Sequence, residues 1–247
     1  MTPTEQTTTA YHAEQYANNH PPGIERLYWH RARNRILLRK LLPYVSSQDF
    51  FFDLGCGPGV VVEFLRGRGL EGEGGDLGTP PFVVPGVEHH LHLGTDAFTL
   101  PAALRERVTI LLLMDVLEHL PAPERFLSEC SAAFPNVACI YITLPARMEI
   151  WSNYDEYYGH FCRYTLETIR GIRLPTDFQL TESGYFFHSL YWAARAARPF
   201  SRDRKVRVSA PRLPVLHDAI GSLFALEERI FPATHPGSSM YAIARRS

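Results

Sequence analysis

Three glycines at alternate positions, Gly55, Gly57 and Gly59, follow directly on an apolar run, Phe50-Phe51-Phe52, and an acid, Asp53. Val60 to Leu65 then continue as a helix-compatible stretch. A strand buried on both faces that breaks into a glycine turn and a helix N-terminus is the nucleotide-binding corner of an open α/β sheet. Glycine is needed where the chain turns sharply and its backbone must approach a ligand that a Cβ would block. The same pattern also suits a βα turn that binds nothing, so the spacing and the downstream residues decide.

A dinucleotide fingerprint would place its third glycine at position 60, which is Val60. The observed Gly-x-Gly-x-Gly, with Asp53 two residues ahead, resembles the first motif of class I S-adenosylmethionine-dependent methyltransferases. The resemblance implies that Gly55, Cys56, Gly57 and Gly59 pass under the methionine part and ribose of the cofactor. It links Asp53 to the cofactor's amino-acid end. Asp76 lies 21 residues beyond Gly55, near the spacing at which nucleotide-binding α/β folds set an acid on the ribose hydroxyls. A carboxylate accepts from both hydroxyls at once. The surrounding segment, residues 69–78, is too rich in glycine to be a good strand by propensity. Asp76 with Leu77 is nevertheless similar to the family's second motif, and ribose binding is favoured over a plain turn before Gly78. Asp96-Ala97 resembles the third motif, whose acid meets the adenine amino group.

Val108 to Asp115 is a continuous apolar run of the kind a parallel sheet buries on both faces. It ends in Met114-Asp115-Val116-Leu117-Glu118-His119. This resembles the fourth motif in the subgroup that includes ubiquinone-biosynthesis O-methyltransferases and many sugar and natural-product methyltransferases. Met114 and Asp115 then belong with the cofactor. His119 is the candidate general base, since a neutral imidazole can take a proton from a hydroxyl or phenol; the alternative is that it only orders the loop. Neither Asn/Asp-Pro-Pro-Tyr nor a catalytic Pro-Cys pair is present, which argues against nucleobase methylation. Asp115-x-x-Glu118-His119 is also similar to metal-holding relatives, with His160 as the distant ligand, but the expectation is that no metal is used.

Composition excludes other classes. A net charge of −1 gives no polyanion-binding signature, so no nucleic-acid partner is expected. The four cysteines have no metal spacing and read as free thiols. His89, His90 and His92 lie on a predicted strand, residues 87–93, where alternation splits them between two faces and no acid partner is evident. No apolar run reaches membrane-spanning length, so a cytoplasmic protein is expected.

Residues 1–45 are predicted to form a tail and a helical lid, with an amphipathic helix over 24–42 ended by Pro43 and with Tyr11, Tyr16 and Trp29 as possible lining. The methyltransferase domain follows over 46–247. Directly after the predicted fifth strand, a substrate-side insertion over about 149–165 carries Tyr154, Tyr157, Tyr158, His160 and Arg163. These would shape an acceptor pocket, with His160 as a second catalytic candidate and Arg163 available for an anionic group; the alternative for His160 and Arg163 is that they only hold this loop by hydrogen bonds. A helical insertion over about 188–237 contains the basic run from Arg195 to Arg212, which reads as a solvated loop or, less favoured, a peripheral membrane contact. Leu213 to Phe231 reads as an amphipathic helix over the sheet edge or a homodimer face.

The resemblance covers about residues 25–187. It implies an α/β, Rossmann-like sheet of seven strands in the order 3-2-1-4-5-7-6, with strand 7 antiparallel and helices on both faces. It implies an enzyme that uses S-adenosyl-L-methionine, releases S-adenosyl-L-homocysteine and methylates a small-molecule acceptor, most simply on oxygen. N- or C-methylation and a catalytically silent cofactor-binding partner are the alternatives.

Overall fold

The computed structural model describes residues 13–198 and 205–247. The Thr-rich first ten residues, Tyr11, and Phe200 to Arg204 of the basic run lie outside the described residues. The strands are β1 (Phe50–Leu54), β2 (Glu71–Asp76), β3 (Leu91–Leu93), β4 (Ile110–Met114), β5 (Cys139–Pro145), β6 (Phe178–Phe186) and β7 (Ser239–Arg246). The helices are α1 (Ala13–Asn19), α2 (Tyr28–Leu41), α3 (Val60–Arg66), α4 (Ala102–Arg107), α5 (Pro123–Ala133), α6 (Asn153–Tyr157), α7 (Leu166–Gly171), α8 (His188–Ala197) and α9 (Pro214–Ile230). The strands form one sheet in the order β3-β2-β1-β4-β5-β7-β6, parallel except for the antiparallel β7. This is the expected sheet.

Strand alternation divides the core in two. Phe51 joins Ile36, Leu37, Val61 and Phe64 on the face covered by α2 and α3, while Phe50 and Phe52 join Leu127, Cys130 and Phe134 on the α5 face. Burying apolar area on both faces is why β1, β4 and β5 read as uninterrupted apolar runs.

The glycine-rich segment is a strand after all. β2 pairs with β1 so that Gly72 faces Phe51 and Glu73 faces Phe52. A Cβ at Gly72 would overlap the Phe51 ring, and one at Gly75 would come within 2.8 Å of Phe52 Cζ. Bulky rings in β1 therefore require small residues in β2, and packing overrides propensity. β3 is shorter than predicted, because Glu88–His90 form a 3-10 turn ahead of it. His92 does have an acid partner, Glu73, at 2.7 Å across β2 and β3.

The carboxyl ends of β1, β2, β4 and β5 meet at one edge. α1 and α6 bridge over that edge: Gln15 Nε2 donates to the Tyr157 carbonyl (2.7 Å), and Asn18 Nδ2 donates to the Tyr157 hydroxyl (2.8 Å). Among the described residues no helix is long and apolar enough to cross a membrane.

Candidate active site

Beneath this cover lies a cleft of about 1460 Å³. Its floor is the turn after β1. Gly55 and Gly57 sit at φ 81° and 52°, a left-handed backbone that costs a side-chain-bearing residue energy. Gly55 N and Cys56 N donate to the Gly75 carbonyl at 2.8 and 3.1 Å, tying the turn to β2. Cys56, Gly57 and Pro58 line the cleft. Gly59 does not: it is the left-handed N-cap of α3, packed so that a Cβ would come within 2.8 Å of Leu91 Cδ1. That packing gives the left-handed glycine a structural reason of its own, beside the cofactor contact expected for it.

Asp76, at the end of β2, is buried and held from three sides. Its Oδ2 accepts from Gly57 N at 2.8 Å, and its Oδ1 accepts from Gly78 N at 2.8 Å and from the Tyr16 hydroxyl at 2.5 Å. Leu77, Asp96, Ala97 and Met114 line the same cleft. Asp96 also caps the turn after β3, accepting from Phe98 N at 2.9 Å.

Asp53 is fully buried, and its Oδ1 has no hydrogen-bond partner. Burial pushes its carboxyl up to about 7; Arg33 opposes that rise, while Asp76 and Asp115 add to it. Arg33, on α2, was not singled out by the sequence. Its Nη1 lies 2.6 Å from Asp115 Oδ2, its guanidinium lies 4.8 Å from the Trp29 ring centroid, and its buried Nε has no partner. Asp115 occupies a left-handed conformation (φ 63°) as the chain leaves β4. An orphaned donor and an orphaned acceptor thus face the same cleft.

A second polar group is built on α6 and the loop after it. Asp155 is completely buried at the start of α6; its Oδ1 is 2.9 Å from His160 Nδ1 and accepts from Arg163 Nε at 2.8 Å. Arg163 Nη2 reaches Asp155 Oδ2 at 3.0 Å, and its Nη1 donates to the Ala146 carbonyl at 3.2 Å. Burial raises the Asp155 carboxyl, but the His160 and Arg163 interactions outweigh it and hold it at about 2. Arg163 lines the cleft but spends these donors on the loop, the second of the two roles expected for it.

His119 and His160 meet edge to face with ring centroids 4.7 Å apart. Burial and the neighbouring His160 lower the His119 pKa to about 3, against a hydrogen bond to the Tyr158 backbone, so His119 is neutral and weakly basic. Glu118 is buried beside them with an unpartnered Oε2, and burial together with Asp115 pushes its carboxyl well up. One ligand-type atom each from Glu118, His119 and His160 lies within 4.8 Å of the others, a set that could hold a divalent cation.

Of the three predicted pocket tyrosines, Tyr154 lines the cleft and donates to Asn19 Oδ1 at 3.1 Å. Tyr157 instead fastens α1, and Tyr158 is buried with its hydroxyl on the Val206 carbonyl at 2.8 Å. These two hold the cover, which corrects their expected place in the pocket wall.

This strand order, with a glycine turn after the first strand and an acid ending the second, is the architecture of class I S-adenosylmethionine-dependent methyltransferases. Comparisons with known proteins agree. Residues 28–183 match the model of a methyltransferase domain. A ubiquinone biosynthesis O-methyltransferase of Pseudomonas entomophila is 31% identical over 85 residues, which are 32% of this chain. That match spans only 36% of the relative's own length. A SAM-dependent methyltransferase from Archaeoglobus fulgidus superposes with a TM-score of 0.50 at 18% identity, covering 87% of this chain and 94% of that one. The magnesium protoporphyrin IX methyltransferase from Synechocystis, solved with bound S-adenosylhomocysteine, gives 0.51 at 13% identity over 88% and 84%. At such identities the structures show the fold. The chain belongs to the methyltransferase domain family and is a class I S-adenosylmethionine-dependent methyltransferase.

Proposed function

We propose that this enzyme methylates a hydroxyl of a small-molecule acceptor, with His160 as general base oriented by Asp155. The observation that carries this reading is His160 in the wall of the cleft, held from behind by the fully buried Asp155. The fully buried carboxylate accepts a hydrogen bond from Nδ1–H, which fixes the tautomer and leaves Nε2 as the proton acceptor. An imidazolium formed at His160 would be stabilised by the same carboxylate. His119, neutral and weakly basic, packs the edge of that ring and positions it. The curated relative's name, an O-methyltransferase of ubiquinone biosynthesis, supports oxygen as the target.

The residues present fit the cofactor. Its methionine end carries one carboxylate and one ammonium, and beside the glycine turn the orphaned buried groups of the cleft include a donor, Arg33 Nε, and an acceptor, Asp53 Oδ1. Arg33 would hold the carboxylate and Asp53 the ammonium, while Asp76 would take the ribose hydroxyls over the Gly55–Gly57 turn. When bound, the cofactor supplies an already activated sulfonium methyl. The chain's part is then to align the acceptor, exclude water under α1 and α6, and accept the proton at His160 Nε2.

Two outcomes follow for the cofactor. Tyr16 donates to Asp76 Oδ1, where a ribose hydroxyl would sit. Tyr16→Phe removes that competitor, so S-adenosylhomocysteine should bind about tenfold more tightly by calorimetry, the value of one charge-assisted hydrogen bond. Unchanged affinity would remove the ribose from that oxygen.

The second concerns pH. Asp53 is raised from 3.8 to about 7. The ionised form should take the ammonium, so the cofactor's Kd should rise about tenfold per pH unit below 7 and level off above it. The sign for the unliganded fold is opposite. A carboxyl raised above its unfolded value binds more protons in the native state, so stability should fall between about pH 4 and 7. Asp53→Asn should flatten both profiles.

A second reading rests on the Glu118–His119–His160 cluster: a divalent cation held there would activate the hydroxyl in place of a base. One experiment separates the readings. Release of S-adenosylhomocysteine is followed with phenol, catechol, alcohol and amine acceptors, with and without chelator. Turnover of hydroxyl acceptors that survives chelation supports the base; loss restored by magnesium or manganese supports the metal. Turnover of amines alone makes the enzyme an N-methyltransferase, and cofactor binding without turnover marks a silent partner protein.

A further inference from the structure

Helix α9 is built inside out. Its acids face inward, and the partners of those acids are on α2 and α8. Asp218 pairs with Arg35 at 2.7 Å and with Arg31 at 3.8 Å, and Glu228 pairs with Arg39 and with Lys40 at 3.4 Å. Glu227 accepts from His188 N and Ser189 N at the start of α8, at 3.1 and 2.7 Å. Gly221 lets α9 close onto α2, since a Cβ there would come within 2.8 Å of Arg31 Cβ. Ala225 and Phe224 pack on the core, but a second apolar stripe is left outside: Val215 is 85% exposed, Leu223 65% and Ile230 69%. A surface helix normally does the reverse.

The exposed residues are patterned. Leu216, Ala219, Leu223, Leu226 and Ile230 are spaced 3, 4, 3 and 4, the a/d seam of a coiled coil, along a helix of 17 residues. Among the described residues, seven of the twelve exposed large hydrophobics lie between Leu213 and Phe231. Scattered surface leucines need no explanation, but a contiguous patch does.

We propose that this seam pairs with the same seam of a second copy, antiparallel across a two-fold axis at Leu223. The sequence is nearly palindromic about that residue. Leu216 and Ile230 stand seven positions away on either side, and Ala219 and Leu226 stand four and three away. Antiparallel pairing therefore sets Leu216 against the partner's Ile230 and small Ala219 beside the partner's large Leu226, the self-complementarity a two-fold interface requires. Each copy would bury on the order of 600 Å² of mainly apolar surface, or roughly 1,200 Å² per pair, at the lower edge of specific interfaces. A membrane-surface helix would flank its apolar face with several cations, whereas Arg229 is the one cation within α9 itself.

Sedimentation equilibrium of the wild type, Leu223→Glu and Leu223→Lys tests the pairing, with circular dichroism and cofactor affinity confirming that each variant is folded. The expected result is a wild-type dimer, two monomeric variants of half that mass, and a heterodimer on mixing them. Charge rescue by mixing would place residue 223 on the axis, which no general loss of hydrophobicity would do. A monomeric wild type would overturn the proposal, as would a dimer that survives both charged substitutions. So would a monomer that floats with anionic phosphatidylglycerol vesicles through α9, which would make the seam a lipid contact.

Discussion

Replacing His160 with glutamine is expected to lower kcat on a hydroxyl acceptor by about 10²- to 10⁴-fold, the usual worth of a positioned general base. Cofactor affinity should change less than twofold, because the cofactor's proposed contacts are Arg33, Asp53 and Asp76 and His160 is not among them. Asp155→Asn should lose a similar factor in kcat, but at a cost in stability. Arg163 is buried against that carboxylate through two hydrogen bonds, and a buried charge deprived of its partner costs about 3–5 kcal/mol. His160→Gln is therefore the cleaner test. His119→Gln should be milder, since an imidazole whose pKa is lowered to about 3 by burial is too weak a base to draw a proton from a hydroxyl. The pH–rate profile makes the role specific. With the base removed, residual activity on a phenol should climb with pH as the acceptor ionises unaided, whereas a merely structural histidine would leave the profile's shape unchanged. A kcat within threefold of wild type would end the base assignment.

How much of this was legible beforehand depended on how far apart in sequence the interacting residues lie. Asp53 to Gly59 and Met114 to His119 are local, and a strand feeding a turn at the sheet's carboxyl edge declares itself from order alone. β2 was harder, because the requirement for Gly72 and Gly75 is written in Phe51 and Phe52 on the neighbouring strand. Arg33 lies within the stretch whose period predicts only an amphipathic helix, 24–42. A usable signal was present: Trp29, Arg33, Ile36 and Leu37 share one face of α2 by spacing, and an arginine on an apolar face needs a buried acid. Asp155 caps α6 together with Ser152, which is local, but its grip on His160 and Arg163 depends on the fold of the whole loop. The polarity of α9 could not be read at all. An amphipathic period does not say which stripe faces in, and the answer lay in Arg31, Arg35, Arg39 and Lys40, more than 180 residues upstream.

Asp76→Ala should have the largest effect on the cofactor. In the proposed pose the carboxylate accepts from both ribose hydroxyls, and two charge-assisted hydrogen bonds at about 1.5–3 kcal/mol each correspond to a loss on the order of 100-fold or more in affinity. Part of the loss would be indirect, because Asp76 also orders the floor of the cleft by accepting from Gly57 N and Gly78 N. The two contributions separate by comparison with the Tyr16 variants. Tyr16→Phe leaves both backbone contacts intact and should tighten binding, so opposite signs at two residues that share one hydrogen bond assign the ribose to that oxygen. Tyr16→Phe in the Asp76→Ala background should then change nothing, since the competitor and its target are both gone. Calorimetric titration of S-adenosylhomocysteine into the four proteins reads all of this at once. If Asp76→Ala bound the cofactor as tightly as wild type with an unchanged melting temperature, the acid at the end of β2 would be no part of the site, and the pose built on it would fall.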